Sequence, residues 1–437
     1  MTSFTIARAP SSFALAALAM LAAASPSRAQ GVDARLRSTV DRVTPAIVEL
    51  RHRIHQFPEL GNRETKTAEL VAAHLRGLGI EVRTGVAHTG VIGVLRGGRP
   101  GPVVAVRADM DALPVTEDTP FPFKSTVRTT YNGQEVGVMH ACGHDIHTAV
   151  QLGVASTLAS MKDQLPGTVL FIFQPAEEGP PAGENGGAKM MLEEGAFANP
   201  KPMAVFGLHT FAEMEVGKVG YTPGPAMAAA TGWRATVKGR QSHGASPHLS
   251  IDPVVLSSQI VLALQTIRSR TLSPFTPSVV TVGIVRGGER LNIIPAEVKL
   301  EGTLRTFDPG VQDTVERRMR EIFDGLTRAA GGSYTLEFDR AYPVTVNDLA
   351  LTARTRASLE KAVGKENVQE IPPTTGAEDF SYFAAAVPGF YFRLGMVKPG
   401  TKSGDHHTPT FLADDASVPV GIRVMSTVLV DYLSAGR

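Results

Sequence analysis

Three apolar runs, each breaking off into residues that exchange protons or bind cations, constrain this chain most. Residues 103–106 lead into Arg107-Ala108-Asp109-Met110-Asp111. Residues 169–173 lead into Gln174-Pro175-Ala176-Glu177-Glu178-Gly179, and residues 204–208 end at His209. Uninterrupted apolar runs of this length are read as strands buried on both faces, as in parallel sheets. A fourth cluster, Met139-His140-Ala141-Cys142-Gly143-His144-Asp145-Ile146-His147, is also placed after a strand end and holds the only cysteine. Open α/β sheets bind ligands at the carboxyl ends of their strands, so these clusters are expected to converge.

Helical spacing covers 32–56, with Leu36, Val40, Val43, Ile47 and Leu50 on one face, and 64–78, which Gly79 ends. Residues 91–95 read as a strand and 147–161 as a helix. Alternating strands and helices predict an α/β fold with a layered, mostly parallel sheet. After Thr222-Pro223-Gly224-Pro225 the texture changes. Strands at 233–237, 279–285, 298–305 and 334–338 and helices at 253–270 and 311–330 describe a smaller α+β two-layer unit of ferredoxin-like type with antiparallel hairpins. From about residue 340 the first texture resumes. The expected division is a leader at 1–29, a catalytic domain at 31–221 and 340–437, and an insertion at 222–339.

Net charge is +1 over 437 residues, and no Lys/Arg run offsets it, which argues against nucleic acid or an anionic membrane as the partner. Residues 1–29 read as a secretory leader: Arg8 precedes an apolar run at 13–24 and a small-x-small site, Ser27-Arg28-Ala29. Cleavage after Ala29 would deliver the chain to the periplasm or outside the cell, with no membrane attachment afterwards. A single cysteine there cannot form an internal disulfide. With His144 two residues on, Cys142 reads as a metal ligand rather than as a small buried hydrophobe.

Cys, His and Glu together form a zinc-type donor set, which manganese, cobalt or nickel also accept. A spare carboxylate beside such donors is what a metal-assisted hydrolase uses as a base. Eight of the twelve histidines fall in four regions: around Cys142, at His209, around Ser242-His243, and at His406-His407. Glu177 and Glu178, on a loop after a buried strand, can point one to a cation and one to water.

Arg-Ala-Asp-Met-Asp-Ala-Leu-Pro (107–114), His-Ala-Cys-Gly-His-Asp (140–145), Gln-Pro-Ala-Glu-Glu-Gly (174–179), Gly-Leu-His (207–209) and His-Thr-Pro (407–409) together resemble the signature blocks of one family. It is the dinuclear metallopeptidase and amidohydrolase family of aminoacylases, bacterial carboxypeptidases and hippurate hydrolases, in the branch of hippurate and indole-acetyl-amino-acid amidohydrolases. The resemblance runs in order along the mature chain. It implies two divalent metal ions held by Cys142, His144, Glu178, His209 and His407, with Glu177 as general base toward a metal-bridging water. It implies that Asp109 orients a ligand histidine. It implies that His243, in Gly-Arg-Gln-Ser-His-Gly, reaches a partner subunit's site as an oxyanion donor. Asn292 and Arg305 match substrate-holding positions, Arg305 as a carboxylate clamp. Other branches place a histidine ligand at the position of Arg107, and His144 takes that place here. Ile371 to Phe380 resembles another family block, which by its own chemistry reads as a loop capping a helix through Glu378 or Asp379.

The expected activity is therefore exported, metal-dependent hydrolysis of N-acyl amino acids or of the C-terminal bond of small peptides, by a homodimer formed through the inserted unit. A carboxypeptidase or dipeptidase of the same family and a two-lobed exported solute-binding protein are the alternatives. A solute-binding protein needs no base beside five ligands. A serine hydrolase built on Ser242 and His243 lacks the Gly-x-Ser-x-Gly elbow.

Overall fold

The computed structural model describes residues 25–435. The expected leader, 1–29, lies outside them except for its last five residues, which open the helix Ser25–Gln56. No helix among the described residues is long and apolar enough to cross a membrane.

The fold is mixed α/β. Its large sheet has eight strands in the order Glu81–Val86, Gly90–Arg96, Pro166–Gln174, Arg99–Asp109, Val205–Glu215, Gly389–Val397, Val219–Tyr221 and Val368–Glu370. The four central strands are parallel, with Asp109 opposite Gln174 and Arg107 opposite Gly207. Three of these strands contain the apolar runs of the sequence, and the fourth, Gly389–Val397, is buried along its whole length. The helices Ser25–Gln56, His144–Ala159 and Ser417–Ser434 pack together against the sheet. Helix His144–Ala159 is buried from His144 through Leu158, which explains its lack of a polar face.

Two local expectations are corrected. The strand that reaches His209 runs on to Glu215, so His209 lies inside it. Cys142 does not follow a strand of the large sheet. Among the described residues the preceding strand, Gln134–Gly137, pairs only with Arg128–Tyr131, and Cys142 lies instead at the start of helix His144–Ala159. That helix begins three residues earlier than its apolar spacing indicates, because Gly143, at φ 86°, turns the chain into it. A Cβ on Gly143 would sit 2.2 Å from the hydroxyl of Thr210. Only glycine allows that approach of the Cys142 loop to the His209 strand.

A second sheet is antiparallel, in the order Ser278–Arg286, Glu297–Thr306, Ala229–Lys238, Ser333–Tyr342. Alternate residues of Ala229–Lys238 are buried under helices Pro253–Thr266 and Pro309–Ala329, which makes two layers. Asp252 and Asp308 cap these helices by accepting from backbone N–H groups of their first turns. Gly302 lies opposite Trp233, and a Cβ there would meet the indole ring at 2.7 Å. On the outside of this layer Leu249, Val254, Val255, Leu262, Phe275, Val285 and Leu291 are exposed.

Candidate active site

The large sheet delivers Asp109, the loop carrying Glu177 and Glu178, and His209 to one place. The helix start adds Cys142, His144 and His147, and the loop before the last helix adds His406 and His407. Within this cluster donor atoms lie within 4.8 Å of one another as Cys142–Glu178–His407, Cys142–His209–His406, Asp109–His144–His147 and His144–Glu177–Glu178. The Cys142 sulfur is 3.4 Å from Nε2 of His209 and 3.3 Å from Nε2 of His407, which is also 3.0 Å from Oε1 of Glu178.

The ring hydrogen bonds say which nitrogens are free. His144 donates from Nδ1 to the carbonyl of Asp111 at 2.8 Å, which leaves its Nε2 buried with no hydrogen-bond partner among the described residues. His209 donates from Nδ1 to the carbonyl of Thr210 at 2.6 Å, so its Nε2 keeps a lone pair toward Cys142. His147 is spent: its Nδ1 bonds Asp109 at 2.6 Å and its Nε2 accepts from the N–H of Thr210 at 2.8 Å. The ring that Asp109 holds by a hydrogen bond is thus His147, while Nε2 of His144 stands 3.9 Å from the other Asp109 oxygen. His406 Nε2 accepts from the N–H of Ala212 at 3.2 Å, so its proton is on Nδ1, aimed at the Cys142 sulfur 3.6 Å away. Of the adjacent pair, His407 keeps a nitrogen free for a cation and His406 is a donor to sulfur.

Electrostatics agree with a cation site. Burial pushes His209 well below its ordinary value, aided by His147, Arg393 and His406, so it stays neutral. Burial also opposes charge on His144, but Asp109, Asp111 and Glu178 outweigh it and hold the ring protonated up to about 10. A bound divalent ion would take that proton's place among the same carboxylates. Burial raises the Cys142 thiol, and Glu178, Glu177 and Asp109 raise it further, an effect a cation reverses. Unpartnered nitrogens, a lone thiol and facing carboxylates are the donor set that one or two divalent ions fit.

Glu177 is buried and near the carboxylates Glu378 and Asp379. Burial first, then Glu378, Glu178 and Asp379, hold its carboxyl well above the usual range, with Arg107 pulling the other way. Arg107 organises this corner. Its fully buried guanidinium reaches Asp109 at 2.6 Å, Asp379 at 2.8 Å, Glu378 at 2.9 Å and the Gln174 amide oxygen at 2.7 Å. The loop at 378–379 is only partly the expected helix cap. Glu378 accepts from the N–H of Phe380 at 3.0 Å, whereas Asp379 makes no cap and binds Arg107, Gln174 and the N–H of Ala188.

The remaining candidates lie on the second sheet and its hairpin. Arg305 is half-buried, and among the described residues it has no carboxylate partner; burial lowers its pKa. Arg305 and Tyr342 lie on either side of Ala230 in neighbouring strands, and the Tyr342 hydroxyl donates to the carbonyl of Glu177 at 2.8 Å. His243 and Asn292 stay together in a short exposed hairpin, where Gly244 N–H donates to the Asn292 carbonyl and His243 Nδ1 accepts from the N–H of Ala245. Neither joins the cluster around Cys142 within this chain. Sequence reasoning passed over Tyr342, Arg107 as an anchor and Thr210, and it chose His407 over its neighbour His406 without giving His406 a role. Only Arg107 carried a signal, as a charge inside a buried strand.

The model of peptidase family M20/M25/M40 matches residues 105–431. The chain is 37% identical to thermostable carboxypeptidase 1 of Saccharolobus solfataricus, over 91% of this chain and 98% of that protein. It is 38% identical to IAA-amino acid hydrolase ILR1-like 2 of Arabidopsis thaliana, over 89% and 85%. The crystal structure of the YXEP protein of Bacillus subtilis, titled a dinuclear metal binding peptidase from the M20 family, superposes with a TM-score of 0.76 at 31% identity. That match covers 90% of this chain and 99% of that one.

Proposed function

Because this chain belongs to peptidase family M20/M25/M40 and is a metal-dependent hydrolase of amide bonds, we propose that it is an exported amidohydrolase acting on N-acyl amino acids or on the C-terminal bond of small peptides. The observation that carries the reading is the convergence of Cys142, His144, Glu178, His209 and His407 on one spot, with Glu177 buried beside them. A solute-binding role is not favoured, since recognition alone needs no such base.

In this reading Cys142, His144, Glu178, His209 and His407 hold two divalent ions, zinc or manganese, with cobalt or nickel also compatible. Bound there, such ions polarise a carbonyl and lower the pKa of water to about 7. Glu177 takes a proton from the attacking water and returns it to the leaving amine. Asp109 fixes His147, and His147 in turn fixes Thr210 and the His209 strand. Arg305, free of carboxylates, clamps the substrate's carboxylate. The inserted unit, residues 222–339, acts as lid and dimer element. Its exposed apolar residues support that role, and dimerisation would carry His243 and Asn292 to the partner's site. The leader at 1–29 directs the chain to the periplasm or outside.

The test is the rate of hippurate hydrolysis by the mature protein before chelation, after it, and after divalent metal is returned. Loss and recovery support the proposal. Undiminished hydrolysis after verified metal removal rejects it.

A further inference from the structure

Glu64 is a buried acid outside the ligand cluster. It has no exposed surface, and among the described residues it forms no ion pair. Burial, and then Asp111, push its carboxyl up to about 8. A carboxyl so placed is costly unless its oxygens are bonded. Both are. The Thr89 hydroxyl donates to Oε2 at 2.6 Å, and the N–H of Ala176 donates to Oε1 at 2.8 Å.

Ala176 immediately precedes Glu177, and its φ of 49° is left-handed. A Cβ disfavours that conformation, which persists only where the surroundings over-determine it. The turn at 61–64 supplies those surroundings. Gly61 lies so close that a Cβ there would stand 3.1 Å from the Ala176 Cα and 3.0 Å from the Gly179 carbonyl oxygen. On the other side, the Glu177 carbonyl accepts from the Tyr342 hydroxyl and the Glu178 N–H donates to Asp111, which fixes the peptide after Glu177. The bond to Glu64 fixes the peptide before Ala176. The direction of the Glu177 side chain therefore depends on both.

We infer that Glu64 is a positioning residue for the general base: through the N–H of Ala176 it holds the turn that aims Glu177. This rests on the reading of Glu177 as the base. What the turn requires is an acceptor and not a charge, because a carboxylate, a carboxylic acid or an amide can each accept there while the Thr89 hydroxyl rotates to match. Glu64→Gln keeps that acceptor. Glu64→Leu leaves the Ala176 N–H buried without one. Glu64→Asp keeps the charge and falls short by one methylene. With metal-loaded protein and hippurate, Glu64→Leu and Glu64→Asp should each lower kcat at least tenfold, since misplacing a reacting group by about 1 Å can cost about 10²-fold. KM should stay within twofold and bound metal unchanged, because Glu64 belongs to none of the donor groups. Glu64→Gln should keep kcat within threefold. Deuterium exchange at residues 176–178 should be at least tenfold faster in the Leu and Asp variants than in wild type or Glu64→Gln. Wild-type kcat in Glu64→Leu, or a Glu64→Gln variant as slow as Glu64→Leu, overturns the inference. So does a change in KM or bound metal as large as the fall in kcat. If Glu64→Leu does not fold, Glu64→Asp decides by the same readings. If hippurate is not cleaved, or Glu177→Gln keeps the full rate, the base assignment fails by itself and exchange alone judges Glu64. Faster exchange in Glu64→Leu and not in Glu64→Gln then upholds its hold on the turn, and unchanged exchange ends it.

Discussion

Arg107→Met removes a guanidinium with no exposed surface from among Asp109, Glu378 and Asp379 while keeping most of its aliphatic bulk. Breaking one buried ion pair by deleting a partner costs about 3–5 kcal/mol, because the other charge is left uncompensated. Here three carboxylates lose their shared cation, so the cost should reach at least that range at pH 8. It should shrink as pH falls. Burial pushes Asp379 up to about 7, with Glu378 adding to the rise and Arg107 opposing it. Without Arg107 that carboxyl protonates more readily, and the neutral form relieves the repulsion. Chemical denaturation of wild type and variant at pH 8 and pH 6, both without metal, measures the difference. Arg107→Lys should recover only part of the loss, since one ammonium cannot reproduce a fork aimed at three carboxylates and an amide. A loss below about 1 kcal/mol at pH 8, or one that grows toward pH 6, would refute the view that Arg107 holds this corner together.

Glu177→Gln should keep the bound metal and lose about 10²–10⁴ in kcat, the range for a general acid–base residue, as steady-state rates and metal analysis will show. Cys142→Ala should lose bound metal, and His406→Phe, which deletes only a donor to the sulfur, should weaken metal affinity without abolishing it; competition with a chromogenic chelator separates the two. Behind the site, burial disfavours charge on His55, but Asp145, 3.0 Å away, and Glu117 raise it to about 9. A raised histidine stabilises the fold fully below about pH 6.5 and loses that contribution as pH climbs to about 9, at most about 3 kcal/mol. His55→Gln should therefore cost more stability at pH 6 than at pH 9.5 in denaturant titrations.

The apolar runs at 103–106, 169–173 and 204–208 made the parallel centre of the sheet legible, since two-sided burial leaves no polar alternation. They also made the neighbourhood of Asp109, Glu177 and His209 legible, because strand ends in such sheets converge. Local spacing could not place the start of helix His144–Ala159, which depends on the Gly143 turn against Thr210, some 67 residues further along the chain. It could not show that the 134–137 strand before Cys142 stands outside the large sheet. Arg107 and Asp379 meet across 272 positions, and nothing near either residue encodes that pairing. The adjacent His406 and His407 look alike in sequence and are told apart by distant partners: the N–H of Ala212 occupies one ring nitrogen of His406, while His407 faces Glu178.

The central claim is that this cluster holds the ions on which amide cleavage depends. The direct measurement is hippurate hydrolysis by metal-stripped protein titrated with manganese or zinc, with bound metal counted in the same samples. The account predicts a rate that rises with loading and levels off at two ions per chain. A stripped protein that hydrolyses hippurate at the full rate would contradict it.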